Sequence, residues 1–187
     1  WIALIPLLRA VRLARDTREA ANLGAVAGLV FFGVHLHWFV KVFGVTGGCL
    51  LMIPAIFWAG TAALARRLQD RVPSAILPIS VAAVWAGAEY FRGEVWFLSF
   101  PWLLVGYSQW NQETVLQGAS LVGVYGLSAL IVGVNGALAD WLPPLASAGR
   151  RAAGLAWVAA ALALLWWGRG EAARWRVDAE PGRTLIV

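Results

Sequence analysis

Residues 22–40 read NLGAVAGLVFFGVHLHWFV, an unbroken run of 19 residues without a single Asp, Glu, Lys or Arg. Wound as an α-helix, such a run rises about 28 Å, close to the hydrocarbon thickness of a bilayer. The same pattern recurs at 46–65, at 73–91 with one exception, Glu89 in its last turn, and at 115–139 and 152–168. The third run opens on Pro73, a residue suited to the first turn of a helix. The fifth has arginines on both sides and closes on Trp166 and Trp167, side chains that settle at membrane interfaces. Residues 1–8, apolar up to Arg9, read as the tail of an earlier crossing. The expected fold is all-α, a polytopic membrane helix bundle of five full spans plus that tail. It occupies 1–168 and leaves 169–187 as a linker and the first strand of a further domain.

Composition agrees with this pattern. The 187 residues are 60% hydrophobic and 13% charged, and the mean hydropathy is +0.70. Ordinary soluble domains carry about a quarter charged residues, so that class is excluded. One cysteine, Cys49, cannot form an intramolecular disulfide. The net charge of +5 comes from basic residues scattered between apolar runs. They do not gather on one face, which argues against a nucleic-acid partner.

Those basic residues set an orientation. The segments before the first, third and fifth runs hold Arg9, Arg12, Arg15, Arg18, Arg66, Arg67, Arg71, Arg150 and Arg151, against only Lys41 and Arg92 in the two opposite loops. Lysine and arginine near span ends stay on the cytoplasmic side, so the C-terminal tail is expected outside. At the start of the first run, Ala20 just before it and Gly24 and Gly28 within it repeat at four-residue spacing, the small-residue face that lets membrane helices approach closely.

Several side chains invite a chemical role. Cys49 follows Gly47 and Gly48 at the mouth of a span with no neighbouring base, so it reads as an inert thiol. His35 and His37 stand two apart, whereas a helical zinc pair needs an i, i+4 relation; no metal and no cofactor are expected. His37 and Lys41 share a face, where a lysine reaching the interface is the simpler reading. Glu89, the ionisable group nearest membrane depth, has Arg92 three residues on, a spacing that predicts a helical ion pair. Asn135, inside the fourth run, is expected to bond a neighbouring helix, and Tyr125 likewise.

The loop between the third and fourth runs, RGEVWFLSFPWLLVGYSQ at 92–109, is crowded with aromatics. Tryptophan and tyrosine favour the headgroup level, so the loop is expected to lie half inserted. It then either anchors the bundle or shapes a lipid-binding mouth.

The residues from Glu89 to Gly93, then Phe100, Pro101, Trp102, then Gly106, Tyr107, Ser108 and Gln109, resemble the membrane part of apolipoprotein N-acyltransferases. Residues 28–44, with Phe31, Phe32, Gly33 and Trp38, and the run Gly123, Val124, Tyr125, Gly126, Leu127, Ser128 are similar to that family in the same order. Arg183 to Val187 resembles the first strand of the family's nitrilase-like domain.

The resemblance implies an enzyme of the bacterial inner membrane with its C-terminus on the outer side. A cysteine takes an acyl chain from a phospholipid as a thioester and passes it to the N-terminal diacylglyceryl-cysteine of an apolipoprotein. That chemistry needs a thiolate, a carboxylate base and a lysine, all of which the family places in the nitrilase-like domain. On this reading no residue of the present chain is catalytic, and the chain alone is expected to be inactive. Glu89, Arg92, Phe100, Pro101, Trp102, Tyr107 and Gln109 are expected to line an entrance for substrate or lipid. The competing expectation is a non-catalytic membrane scaffold or a transporter fragment, although no internal repeat or mid-span charge supports a transporter.

Overall fold

The computed structural model describes residues 1–145 and 148–178, with side chains described as far as Arg174. Every regular element among them is helical: α1 (Ile5–Leu13), α2 (Thr17–His35), α3 (Trp38–Gln69), α4 (Leu77–Tyr90), α5 (Glu113–Leu116), α6 (Ala119–Trp141) and α7 (Ala148–Asp178). A π-helical turn over Phe91–Val95 and a 3₁₀ turn over Val105–Gln109 lie between α4 and α5. The strand expected at 183–187 falls outside the described residues.

Local capping moves the helix ends away from the hydropathy boundaries. The Asp16 carboxylate accepts from the Glu19 N–H at 2.8 Å, and Glu19 accepts from the Arg15 N–H at 2.7 Å. These bonds satisfy donors that a helix start leaves open, so α2 begins at Thr17, ahead of the apolar run. At its other end the His35 and His37 Nδ1 atoms bond the Phe31 and Val34 carbonyls at 2.8 and 3.0 Å. The Leu36 N–H closes on the Phe32 carbonyl at 2.8 Å, α2 stops at His35, and a new helix opens at Trp38. The single span expected over 22–40 is therefore divided between α2 and α3.

The other runs shift in similar ways. Helix α3 absorbs 46–65 and bends at Gly44 (φ 59°, ψ −141°), a backbone region open chiefly to glycine. Helix α4 starts only at Leu77, with Pro78 rather than Pro73 in its first turn, and has 14 residues. The run at 115–139 is shared between α5 and α6, and α6 bends at Gly123 (φ 65°). Helix α7 continues through Asp178, well past Gly168. Among the described residues three helices are long and apolar enough to cross a membrane: Trp38–Gln69, Ala119–Trp141 and Ala148–Arg174.

Packing follows the small residues. A Cβ at Gly24 would lie 2.5 Å from the Trp58 carbonyl oxygen, and one at Gly28 would lie 2.8 Å from Ala55 Cα. The α2 face expected to allow close approach is thus pressed against α3. Helix α1 docks between α2, α3 and α6. Asn135 on α6 accepts from the Leu4 N–H at 2.9 Å and donates to the Trp1 and Ile131 carbonyls, making the interhelix bond expected of it. Close by, Arg12 Nε meets Asp140 Oδ1 at 2.9 Å, both side chains buried. Arg12, counted by charge with the segment before the first run, lies in α1. On the outside, Val26, Val30 and Val34 of α2 and Leu155, Leu162 and Trp166 of α7 are exposed. An apolar surface this extensive belongs against lipid rather than water.

Candidate functional site: an aromatic strap beside an apolar groove

The chain between α4 and α5 is a strap held at both ends. At the near end the Phe100 N–H donates to the Arg92 carbonyl at 2.9 Å, and the Ser99 hydroxyl donates to the Gly93 carbonyl at 2.6 Å. At the far end the Glu89 carboxylate accepts from the Val105 N–H at 2.8 Å, and Ser128 on α6 accepts from the Gly106 N–H at 2.8 Å. Between these anchors Ser99 and Leu103 hold φ of 38° and 56°. Such left-handed non-glycine residues cost about 1–3 kcal/mol each and persist only where surrounding bonds enforce them. They bracket Phe100, Pro101 and Trp102.

Glu89 and Arg92 support the strap from beneath, and not as the ion pair that their spacing predicts. Glu89 is 4% exposed and Arg92 1%. The Glu89 carboxylate also accepts from the Trp85 indole N–H at 3.1 Å. The Ser128 hydroxyl is a further neighbour of that carboxylate, although Oε2 makes no well-formed hydrogen bond. Arg92 donates from Nη1 to the Trp102 carbonyl at 3.0 Å, and its guanidinium lies over the Phe32 and Phe100 rings at 5.4 and 5.8 Å. Among the described residues the ion pairs join Arg12 to Asp140, Arg15 to Glu19, Arg66 to Asp70 and Arg174 to Glu171, and Glu89 and Arg92 are in none of them. Their charges act on each other without contact. Each group instead satisfies strap backbone, which spacing along α4 does not reveal.

The aromatics divide into two sets. Trp102 stacks on Trp38 at 5.9 Å and on Phe100 at 5.6 Å, with Phe39 edge-on at 5.6 Å. This set ties the strap to the start of α3 and leaves Trp102 45% exposed. Pro101 lies over Gly93, where an added Cβ would meet it at 3.4 Å. Past Leu103 the strap turns to the other side and walls an apolar groove of about 1040 Å³. Groove walls come from α1, from the face of α2 between Glu19 and His35, and from Leu103 to Val105, Tyr107, Ser108 and Trp110. Of the seven residues expected to line an entrance, Tyr107 is the one on this groove. Gln109 is buried behind it and donates to the Ser108 hydroxyl at 2.9 Å.

Three supporting residues escaped the sequence reading: Trp85, Ser128 and Asp140. Trp85 was within reach, because it stands four before Glu89 and such residues meet on a helix. Tyr125, expected to bond a neighbouring helix, instead donates to Glu94 in the π turn at 2.6 Å. Cys49 is exposed on α3. His35 and His37 bond backbone carbonyls, and no group of three His, Cys, Asp or Glu among the described residues gathers to hold a metal.

With this geometry in hand, the relatives agree with one another. Residues 1–137 match the family described as the apolipoprotein N-acyltransferase N-terminal domain. The apolipoprotein N-acyltransferase of Geobacter metallireducens is 38% identical over 146 residues, covering 72% of this chain and 27% of the relative. That of Nitrosomonas europaea is 36% identical over 151 residues, covering 75% and 30%. That of Caulobacter vibrioides is 32% identical, covering 100% of this chain and 36% of the relative. The chain thus spans about a third of the length of the relatives it matches. It belongs to the apolipoprotein N-acyltransferase family and corresponds to the N-terminal domain of that enzyme.

Proposed function

We propose that the chain is the membrane part of an enzyme that transfers an acyl chain from phospholipid to the N-terminal diacylglyceryl-cysteine of lipoproteins. The observation that carries this reading is the apolar groove beside the strap, in a chain of this family. The groove follows α2 from Glu19 to His35, about 24 Å at 1.5 Å per residue. One leaflet's share of the hydrocarbon core is about 15 Å, so the groove has the length and polarity to seat an acyl chain. Glu89 and Arg92 hold the strap in shape. Tyr107 stands at the groove, Phe100, Pro101 and Trp102 form the strap beside it that meets incoming lipid, and Gln109 supports Tyr107 from behind.

In this proposal α2 and α4 join the three long helices to make five crossings of the bacterial inner membrane. The nine arginines lie inside and the C-terminus outside, with residues 1–168 as the membrane domain. Residues 169–187 lead into a nitrilase-like domain that supplies the thiolate, carboxylate and lysine. Reading the gene past the codon for Val187 tests the proposal directly. A frame continuing for about 250 residues, within the usual domain range, with Glu, Lys and Cys in that order supports it, and so does transfer of labelled acyl chains by the product. A stop codon close behind Val187 would leave a scaffold without this chemistry.

A further inference from the structure

Of the three tyrosines of the chain, two, Tyr90 and Tyr125, pack together beside the π-helical turn. Tyr90 and Tyr125 stand nearly perpendicular, with ring centroids 5.4 Å apart and an interplanar angle of 82°. The Tyr125 hydroxyl donates to Glu94 Oε1 at 2.6 Å and also abuts Gly93, where an added Cβ would meet it at 2.7 Å. Tyr107, at the mouth of the groove, lies within electrostatic reach of the Tyr125 hydroxyl. Tyr90, Tyr107 and Glu94 are all exposed.

Charge at this corner is unbalanced. Glu94 joins no ion pair among the described residues, and the two cation–ring contacts among them involve Phe32 and Phe100, leaving the tyrosine rings free of a cation. Arg92 is the nearest competing cation. It is buried beneath the strap, aimed at the Trp102 carbonyl, and faced by Glu89. Glu94 therefore presents an uncompensated carboxylate beside two perpendicular aromatic walls. Such a corner attracts organic ammonium groups through the negative ring faces and the carboxylate together.

We propose that Glu94, Tyr125 and Tyr90 form a recognition site for a primary ammonium group at the membrane surface. The inference rests on the acyl-transfer reading only for the two sources of such a group: an ethanolamine-type phospholipid headgroup, or the free α-amino group of a lipidated N-terminal cysteine.

The test uses the purified full chain in detergent micelles. Retention is measured by native mass spectrometry for phosphatidylethanolamine against phosphatidylglycerol of the same chains, and for a diacylglyceryl-cysteine peptide with a free against an acetylated amine. Wild type is expected to prefer the amine-bearing member of at least one pair by about three- to tenfold. Glu94→Gln should abolish that preference, and Tyr90→Leu should halve it or more, with helical circular dichroism and Tm unchanged. Discrimination confined to the lipid pair assigns the headgroup, and discrimination confined to the peptide pair assigns the acceptor amine. Equal retention within both pairs overturns the site, as does a preference that survives both substitutions. Should Glu94→Gln fail to fold, Tyr90→Leu decides alone, because it leaves the carboxylate and its hydrogen bond in place. Equal retention within both pairs by a wild-type enzyme that still transfers acyl chains would sink this site alone. A retained preference without transfer would sink only the acyl-transfer reading.

Discussion

Two pairs of opposite charge are buried in this bundle, and they are used differently. Arg12 and Asp140 touch at 2.9 Å and join two helices far apart in the chain. Arg150 lies near enough for its charge to act on Asp140. Glu89 and Arg92, three residues apart, do not touch. Glu89 accepts from Val105 N–H and Trp85, and Arg92 donates to the Trp102 carbonyl. The first pair docks one helix on another, and the second holds an irregular strap in place. A buried charge needs compensation wherever it lies, but partner charge and strap backbone can each supply it, with different consequences for what the site can do.

Breaking the first pair has the largest expected effect. Asp140→Asn or Arg12→Ala leaves the other group buried without its partner and should destabilise the bundle by about 3–5 kcal/mol. Unfolding titrations in mixed micelles would measure it. The double variant Arg12→Met with Asp140→Leu should recover most of that loss, since a pair replaced together by apolar residues is often neutral. A double variant as unstable as the singles would mean that the pair does more than dock α1.

Glu89→Ala comes next, at about 2–3 kcal/mol for bonds lost to a charged acceptor, with Glu89→Gln milder because an amide oxygen still accepts. The charge-reversed double variant, Glu89→Arg with Arg92→Glu, sharpens the contrast between the two pairs. An arginine cannot accept from the Val105 N–H, and a carboxylate cannot donate to the Trp102 carbonyl, so no rescue is expected. Rescue would show that the two side chains act as a simple ion pair after all.

Trp102→Ala has the smallest expected effect on stability. The ring is 45% exposed, so its removal should cost about 1 kcal/mol. In the complete enzyme the same substitution, combined with Tyr107→Ala, should weaken acyl transfer while leaving membrane insertion intact. Unchanged kinetics would reduce the strap to an anchor.

Much of this was legible in the sequence, within limits that particular residues make clear. The four-residue repeat of Ala20, Gly24 and Gly28 identified the packing face of α2, because a helix places such residues on one side whatever it meets. Asn135 was marked by its polarity in an apolar run. The break at His35 was not legible: two histidines look like a chemical feature, and in the fold they bond the nearby Phe31 and Val34 carbonyls. Glu89 and Arg92 were singled out by depth and spacing, and the backbone groups they bond were not. The strap had first to fold back before Val105 and Trp102 could reach them.

By itself the sequence determined the all-helical class, its membrane character and the aromatic loop as the unusual segment. Those properties are sums over neighbouring residues, and hydropathy and helical spacing are local quantities. Only the tertiary structure decided which carbonyl or N–H each buried charge would meet, that Arg12 would find Asp140, and that Tyr125 would reach Glu94 with Tyr90 packed against it. Such contacts join residues distant in the chain. Their energies exist only once the helices have docked and water has left, when an unpaired polar group becomes costly enough to choose its partner.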